Sequence, residues 1–491
     1  MEYKLDDSLL LNSYLKKRWC GKNSEELSIE LIIRPECNQK CDYCYITQYG
    51  DELYPHEYRV NNQTILNNLQ MFLDYCLENE IYCANWELFA GDLFYDNLWF
   101  NIMDIFKPYF LNLQKKVSYK VYKVLLPCNC SFFHDIEKTN KVSQYINDFE
   151  KIGVRISFSW SHDGPDLKQV REKRELNDEF YKTAFEFLEK HHYGSHPMIS
   201  VEGIDEVKNQ YNWWKEKWAE RRKKNSQFKE YLPMFLEVRN NNWNKESIDK
   251  YLAFLDYVVE DRLILCDNNP EKLAYHLFYT RPRNNKIKSE YTSHLIPLEA
   301  PNDFIRLHYG DQEKNKKNCT LGNSYSINLS KLTLVPCHRM TYEFFEAGRF
   351  IINSTCATNK KNELTNNNYI NSKILNPKQK IIGLEAKQGL SAYLNVQSAN
   401  PRFAPKCCVC EFRDLCMKGC YGSQFETYGD WSMPIPEVCE LLKAKYDFLI
   451  KKYYSLGVFD VIFQNPKFPI NDKAKHFYAN YINKLKKEGK V

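Results

Sequence analysis

Cys37, Cys41 and Cys44 stand in the pattern Cys-x3-Cys-x2-Cys, with Tyr43 immediately before the third thiol. The triplet follows an alternating apolar run, Ser28 to Ile33, that reads as a β-strand. The thiols therefore leave a strand end on a loop, and no other feature constrains the chain as strongly. Three cysteine ligands hold three irons of a 4Fe–4S cluster and leave the fourth without a protein ligand. An open iron is a place for a substrate or cofactor to coordinate, which a purely structural cluster does not need. Zinc also takes closely spaced cysteines, but a four-coordinate site needs a fourth ligand nearby.

At 491 residues the chain is long enough for two or three domains and a sizeable core. Its 68 basic and 63 acidic side chains nearly cancel, and the formal charge of +5 points to no particular partner. The tail is more basic, with Lys473, Lys475, Lys484, Lys486, Lys487 and Lys490 in an expected terminal helix. Those lysines read as a solvated helix face rather than a nucleic-acid surface. No segment approaches about 18 continuous apolar residues, and Met1–Asp7 lacks the basic-then-apolar order of a signal peptide. The expectation is a soluble, cytoplasmic protein with no membrane or nucleic-acid partner.

Eighteen cysteines in such a chain ask for an explanation. A disulfide framework belongs to small secreted domains, so metal binding is the better account. Ten of the eighteen fall into ordered spacings; Cys20, Cys76, Cys83, Cys128, Cys130, Cys266, Cys356 and Cys408 do not. Most of those eight read as small buried apolar residues or tolerated thiols.

Periodicity predicts strands at Ser28–Ile33, Asn85–Phe89, Lys120–Leu126, Val154–Trp160, Met198–Gly203 and Leu232–Val238. Helical patterns separate them at Asn62–Leu77, Trp99–Leu111, Val142–Ile152 and Asp178–His191, with another around Ile248–Val259. Six strands alternating with helices argue for a parallel sheet with crossover connections. The alternation fits a doubly wound sheet and a barrel equally well.

The triplet with its aromatic resembles the signature of the radical S-adenosylmethionine (SAM) superfamily. That resemblance implies an α/β fold, a partial (β/α)6 TIM-like barrel that is curved but unclosed. Ligands of parallel α/β folds gather at the carboxyl ends of the strands. After the second strand, Ala90-Gly91-Asp92 stands where the family has Gly-Gly-Glu, so Gly91 and Asp92 are SAM-binding candidates. Tyr43, Asn129 after the third strand, and Ser161 in the Ser-x-Asp-Gly-Pro segment after the fourth are further candidates. Arg174 is the candidate carboxylate clamp, with Arg171 as its competitor. Ser-x-Asp-Gly is also an ordinary turn sequence.

Toward the C-terminus the chain reads Cys407-x2-Cys410-x5-Cys416-x3-Cys420-x18-Cys439. Cys319 and Cys337 precede this set, flanking an expected hairpin of Tyr325–Leu329 and Leu332–Val335. The arrangement resembles the SPASM module of peptide- and protein-maturing radical SAM enzymes, a small cysteine-rich domain with a β-hairpin and helices that holds two auxiliary 4Fe–4S clusters. By that resemblance Cys407, Cys410, Cys416 and Cys439 close one auxiliary cluster, while Cys319, Cys337 and Cys420 serve the other. The fourth ligand of the latter is open between Cys356, Cys408 and a vacant iron position. Leu332 replaces a family glycine in the hairpin turn. His338 follows Cys337 where sulfatase-maturing relatives carry an aspartate base, and Pro336-Cys337-His338-Arg339 is closer to the thioether-forming maturases. His338 is accordingly the candidate for a catalytic or cluster-tuning role.

These readings divide the chain into an N-terminal extension (1–27), a barrel (28–260), a linker (261–318), the cysteine-rich domain (319–460, with an insertion near 353–380) and a basic tail (461–491). The extension is shorter than the roughly 50 residues of an independent domain. The resemblance implies SAM and three 4Fe–4S clusters, a peptide or protein substrate, and an electron donor such as flavodoxin or ferredoxin. Its expected outcome is an oxidative modification such as a thioether or carbon–carbon crosslink. Formylglycine formation on sulfatases and a non-catalytic iron–sulfur sensor are the alternatives.

Overall fold

The structure is a computed structural model. It describes residues 7–19, 27–89, 91–165, 176–191, 193–224, 235–278, 324–354, 379–398, 404–413, 415–416, 419–466, 468, 470 and 472–491. The chain divides into two compact units. Unit 1 collects residues 1–38, 49–158 and 321–398; unit 2 collects 39–48, 159–320 and 399–491.

In chain order the elements begin with α1 (Asp7–Trp19), β1 (Ser28–Ile32), α2 (Tyr45–Leu53), α3 (Asn62–Glu78), β2 (Asn85–Phe89), α4 (Leu98–Lys116), β3 (Tyr122–Cys128), α5 (Ile136–Lys151) and β4 (Val154–Trp160). There follow α6 (Asp178–His191), β5 (Gly194–Ser195), β6 (Met198–Ile199), α7 (Val207–Lys224), β7 (Leu236–Glu237), α8 (Lys245–Leu265) and α9 (Pro270–Phe278). Next come β8 (Ser324–Asn328), β9 (Thr333–Val335), β10 (Gly348–Ser354) and β11 (Gln379–Ala386). The chain closes with α10 (Leu390–Ser398), α11 (Pro405–Cys408), α12 (Tyr421–Tyr428), α13 (Pro436–Ser455), α14 (Val458–Gln464) and α15 (Asp472–Lys487).

Unit 1 is built on a mixed sheet in the order β11-β10-β9-β8-β1-β2-β3-β4. β1 lies parallel to β2 on one side and to β8 on the other. Alternation along each strand sends Ile29, Leu31, Trp86 and Leu88 to one face, where all four are buried. There Trp86 meets Phe72 of α3, and Phe106 and Tyr109 of α4, in edge-to-face contacts 5.3–6.3 Å apart. Each such pair contributes about 0.5–1.5 kcal/mol beyond simple burial. The helices start where the sequence supplies caps: Asn61 accepts from Thr64 N–H before α3, and Asp135 from Lys138 N–H before α5. The other face carries Glu30, Glu87 and Ser326, brought side by side by the register Glu30↔Glu87 and Glu30↔Ser326.

The expected hairpin is present as β8 and β9. Leu332, in the family's glycine position, adopts φ +51° at its turn and is 2 % exposed. Burial of the leucine side chain offsets the cost of a left-handed backbone at a residue with a Cβ. The N-terminal extension is not detached: α1 packs on β11, with Asn12 Nδ2 donating to Leu384 O and Ser8 Oγ accepting from Ala386 N–H.

The last two residues of β4 belong to unit 2, where they pair in parallel with β5. β6 and β7 form a separate two-stranded parallel ribbon. The expected strand at 198–203 shrinks to β6, because Ser200–Glu206 turn toward α7, and that at 232–238 is described only as β7. Nor are residues 261–278 a linker. They complete α8 and form α9, whose Leu273, Ala274 and Leu277 enter a core with α13, α14 and α15. That core includes Leu442, Tyr446, Leu449, Phe459, Tyr478, Ile482 and Leu485. The basic tail is thus an amphipathic core helix, with Lys473, Lys484, Lys486 and Lys487 on its exposed side. The units also cut across the expected domains, since residues 321–398 join β1 in one sheet whereas residues 399–491 join 159–320. Of the expected insertion, residues 355–378 lie outside the described residues.

Candidate functional site

In unit 1 the pairing of β1 with β2 continues past both strands into their loops. Ile33 N–H donates to Phe89 O, Gly91 N–H to Arg34 O, and Asp92 N–H to Glu36 O at 2.7 Å. The loop carrying Cys37 is thereby zipped onto the loop after β2. Gly91 makes this possible: a Cβ there would lie 2.0 Å from Glu36 O and 2.5 Å from Pro35 O. Its smallness serves the approach of the cysteine loop's own backbone. Arg34 braces the same turn with a forked pair to Asp96 at 2.5 and 2.7 Å and a bond to Asp92 O. Burial pushes the Asp96 carboxyl up, but hydrogen bonds from Arg34 and Asn62 outweigh it and hold the group below its usual range.

Asp92 is fully buried, and its oxygens accept from Phe94 N–H (2.8 Å) and Ser131 Oγ–H (2.6 Å). Its carboxylate ties the β2 loop to the β3 loop. Asn129 reaches the cysteine loop itself: Nδ2 donates to Asn38 Oδ1 at 2.7 Å and lies 3.9 Å from Cys37 Sγ. Cys37 is exposed.

On the sheet face opposite α3 and α4, Glu30 is 3 % exposed and accepts from Ser326 Oγ at 2.5 Å. His338 Nδ1 stands 3.5 Å from the same glutamate oxygen, and the imidazole stacks on Phe89 at 3.7 Å and 11°. Glu87 faces Glu30 across the ladder. Burial first, and then the Glu30 charge, push the Glu87 carboxyl up to about 7 against the opposing pull of His338 and Lys123. Two facing carboxylates of which one holds a proton near neutrality form an acid–base pair. Neither glutamate was expected from the sequence. The available signal was a carboxylate in the middle of each of two otherwise apolar strands, Ser28–Ile32 and Asn85–Phe89.

In unit 2, Cys44 N–H donates to Cys41 O, and Cys44 O accepts the Gln48 N–H of α2, so the triplet's third thiol sits at a helix start. Cys41 and Cys44 are partly exposed. The Tyr43 hydroxyl donates to Asp163 Oδ2 at 2.8 Å, while Asp163 Oδ1 accepts from Met198 N–H at 2.7 Å. Gly164 adopts φ +108° against Gln210 and Trp214. Asp163 and Gly164 therefore shape the turn after β4, and Ser161 lies partly exposed beside them. Arg171 and Arg174 lie outside the described residues.

Cys407, Cys410, Cys416 and Cys439 all fall in unit 2 and are partly exposed. Cys439 occupies the first turn of α13, where the helix dipole favours negative charge. Burial pushes its thiol up to about 11, with Cys416, Cys407 and Cys410 adding to the rise and Lys443 opposing it. The four thiols thus lie within electrostatic range of one another. Among the described residues no three cysteine, histidine or carboxylate side chains are close enough to hold a metal ion as they stand. The donor set still fits an iron–sulfur group, being four sulfurs backed by a helix start. Cys337, after β9 in unit 1, and Cys420, before α12 in unit 2, are partly exposed, and Cys319 lies outside the described residues. Among the unassigned cysteines, Cys76, Cys83, Cys128, Cys130 and Cys266 are buried and Cys408 is exposed, while Cys20 and Cys356 are not described. No helix among the described residues is long and apolar enough to cross a membrane.

No family model matches this sequence, and no curated protein matches it. Among solved structures it is similar to native anSMEcpe with bound AdoMet and the Cp18Cys peptide, at a TM-score of 0.44 and 13 % identity over 88 % of this chain and 98 % of that one. A histidine-tagged form of anSMEcpe with bound AdoMet gives 0.45 and 14 %, over 93 % and 98 %. At such scores the likeness is loose, and the functional reading rests on the chain's own residues.

Proposed function

We propose that this chain is a radical SAM maturase acting on a peptide or protein side chain. The observation that carries the reading is the cysteine loop at the carboxyl end of β1, zipped over Gly91 and touched by Asn129. Cys37, Cys41 and Cys44 would hold the SAM-binding cluster. Gly91, Asn129, Ser161, Tyr43 and Arg174 remain the candidate SAM contacts, with Asp92 acting through the loops it ties. Cys407, Cys410, Cys416 and Cys439 would hold one auxiliary cluster; Cys319, Cys337 and Cys420 would serve the other.

When bound, the SAM and iron–sulfur groups would supply a 5′-deoxyadenosyl radical and accept the electron released as the substrate radical is oxidised. The protein's own residues handle the proton. Forming a thioether from a carbon radical and a thiol releases one proton and one electron. Glu87 is the acceptor this reading assigns, because a carboxyl held near 7 takes and releases protons at working pH. Ser326 donates to the partner carboxylate, Glu30, His338 stands 3.5 Å from the same oxygen, and the imidazole stacks on Phe89 at the end of β2. A cytoplasmic reductant such as flavodoxin or ferredoxin completes the reading.

The test is anaerobic reconstitution with iron and sulfide, followed by a SAM-cleavage assay with dithionite. The expected result is 5′-deoxyadenosine from the native protein and none from Cys41→Ala, which still carries auxiliary iron. Cys439→Ala should lose iron yet retain cleavage. Bound zinc without iron, or iron without cleavage under any reductant, would sink the proposal; the latter result is the signature of the sensor alternative.

A further inference from the structure

Cys128 and Cys130 are two of the buried thiols that the site does not use, and they lie against each other. Cys128 ends β3, and Cys130 follows in a left-handed conformation at φ +52°, which folds the chain back on itself. The two sulfurs stand 3.1 Å apart and are 4 % and 0 % exposed. That separation exceeds a covalent S–S bond by roughly 1 Å. The residue between them is Asn129, whose side chain holds Asn38 at 2.7 Å beside Cys37.

We propose that Cys128 and Cys130 form a reversible dithiol–disulfide pair, a modification site for peroxide that acts on the Cys37 loop through Asn129. The chemistry closes without any further reactant. One thiol attacks hydrogen peroxide, breaking the O–O bond, to give a sulfenic acid and water; the second displaces the sulfenic hydroxyl as water. Two thiols lose two protons and two electrons, one S–S bond forms, and one peroxide becomes two waters. The 3.1 Å contact makes the second step intramolecular and fast. Burial keeps Cys130 protonated, an effect reinforced by Cys128 and Asp92, so the first step is slow and the pair answers sustained rather than passing oxidant. Drawing the sulfurs together moves Asn129 and loosens its hold on Asn38. The bond stands apart from the functional reading; only its effect on metal retention rests on it.

The experiment uses the full chain. Metal-free protein is treated with hydrogen peroxide, alkylated, digested and mapped by mass spectrometry, with and without later reduction. The expected result is a peptide in which Cys128 and Cys130 have lost two hydrogens, resist alkylation and recover both thiols on reduction, while the equally buried, lone Cys266 stays a thiol. If Cys128 and Cys130 remain free, or join other cysteines, at doses that oxidise the exposed Cys408, the pair is overturned. Reconstituted protein is then challenged with peroxide and its iron assayed against Cys130→Ala and Cys128→Ala. Native protein should retain iron at the triplet on the order of tenfold less well than either variant, as loss of a supporting contact to a metal ligand predicts. Equal loss in all three overturns the coupling to the Cys37 loop. Iron that never enters the untreated protein counts against the maturase reading instead, and the mapped bond decides the disulfide regardless.

Discussion

Each unit contains a strand glutamate drawn away from water, Glu237 fully and Glu87 in part, and the two are handled in opposite ways. Glu237 on β7 of unit 2 lies against Lys445 of α13 at 2.5 Å and accepts from the Tyr251 hydroxyl. Burial would push its carboxyl up, yet Lys445 and Arg239 outweigh that and hold it at about 2. In unit 1 Glu87 meets another carboxylate, Glu30, and burial and repulsion raise it to about 7. A compensated charge fastens a helix to a strand, whereas an uncompensated one carries a proton. The difference separates scaffold from candidate chemistry more sharply than exposure does.

The largest effect that would break this comparison is at Glu237. Glu237→Gln leaves Lys445 buried and uncompensated and should cost about 3–5 kcal/mol, read as a drop in denaturant midpoint. Replacing both partners with apolar residues of similar volume should recover most of the loss. A small effect of the single change would remove the distinction drawn above. Gly91→Ala comes next, because its Cβ would meet backbone rather than a movable side chain. A cost of about 3 kcal/mol is expected, together with lower iron binding at the triplet in reconstituted protein.

Glu87→Gln sharpens the other half of the comparison. Its folded value lies above the ordinary 4.5, so between that value and about 7 the native state binds more protons than the unfolded chain. The contribution is complete at pH below 4.5 and is lost as pH rises through about 7. Glu87→Gln should flatten that decline by on the order of 1–2 kcal/mol, after allowance for partial solvent screening. For Glu237 the sign is reversed, since its contribution is present above 4.5 and is lost as pH falls through about 2. Denaturation profiles from pH 4 to 9 would show a Glu87 limb in the native protein and none in the variant. The smallest effect belongs to Lys487→Glu on the exposed side of α15, which should stay within about 0.5 kcal/mol. A larger loss would mean that the tail's charge does more than face solvent.

Much of this arrangement was legible in residue order. The alternation of apolar strands with helical periods located β1, β2 and β4 to within one residue and β3 to within two, because each element's burial pattern is local. The Cys407–Cys439 spacing marked thiols that the fold gathers within electrostatic range. Leu332 was visible as a departure from the family's glycine; its left-handed backbone and the burial that offsets the strain were not. Asp92 and Tyr43 were read as cofactor contacts, and their hydrogen bonds to Ser131 and Asp163 depend on loops far along the chain. The strand at Met198–Gly203 and the linker reading of residues 261–278 differ from the structure for a related reason. β-branched composition does not reveal that a strand will break after two residues, nor does irregular polarity reveal a helix sheltered by α14.

The order of residues alone determined that three thiols leave the first strand together, that a second cysteine set lies near the C-terminus, and that no long apolar span interrupts the chain. Side-chain chemistry and short-range periodicity suffice for such properties. Only the tertiary structure decided that Ser326 would lie beside Glu30, nearly three hundred residues earlier, and that Glu87 would face the same carboxylate. Register between strands is set by the packing of whole faces, so the proton that Glu87 holds belongs to the assembled sheet and not to any stretch of the sequence.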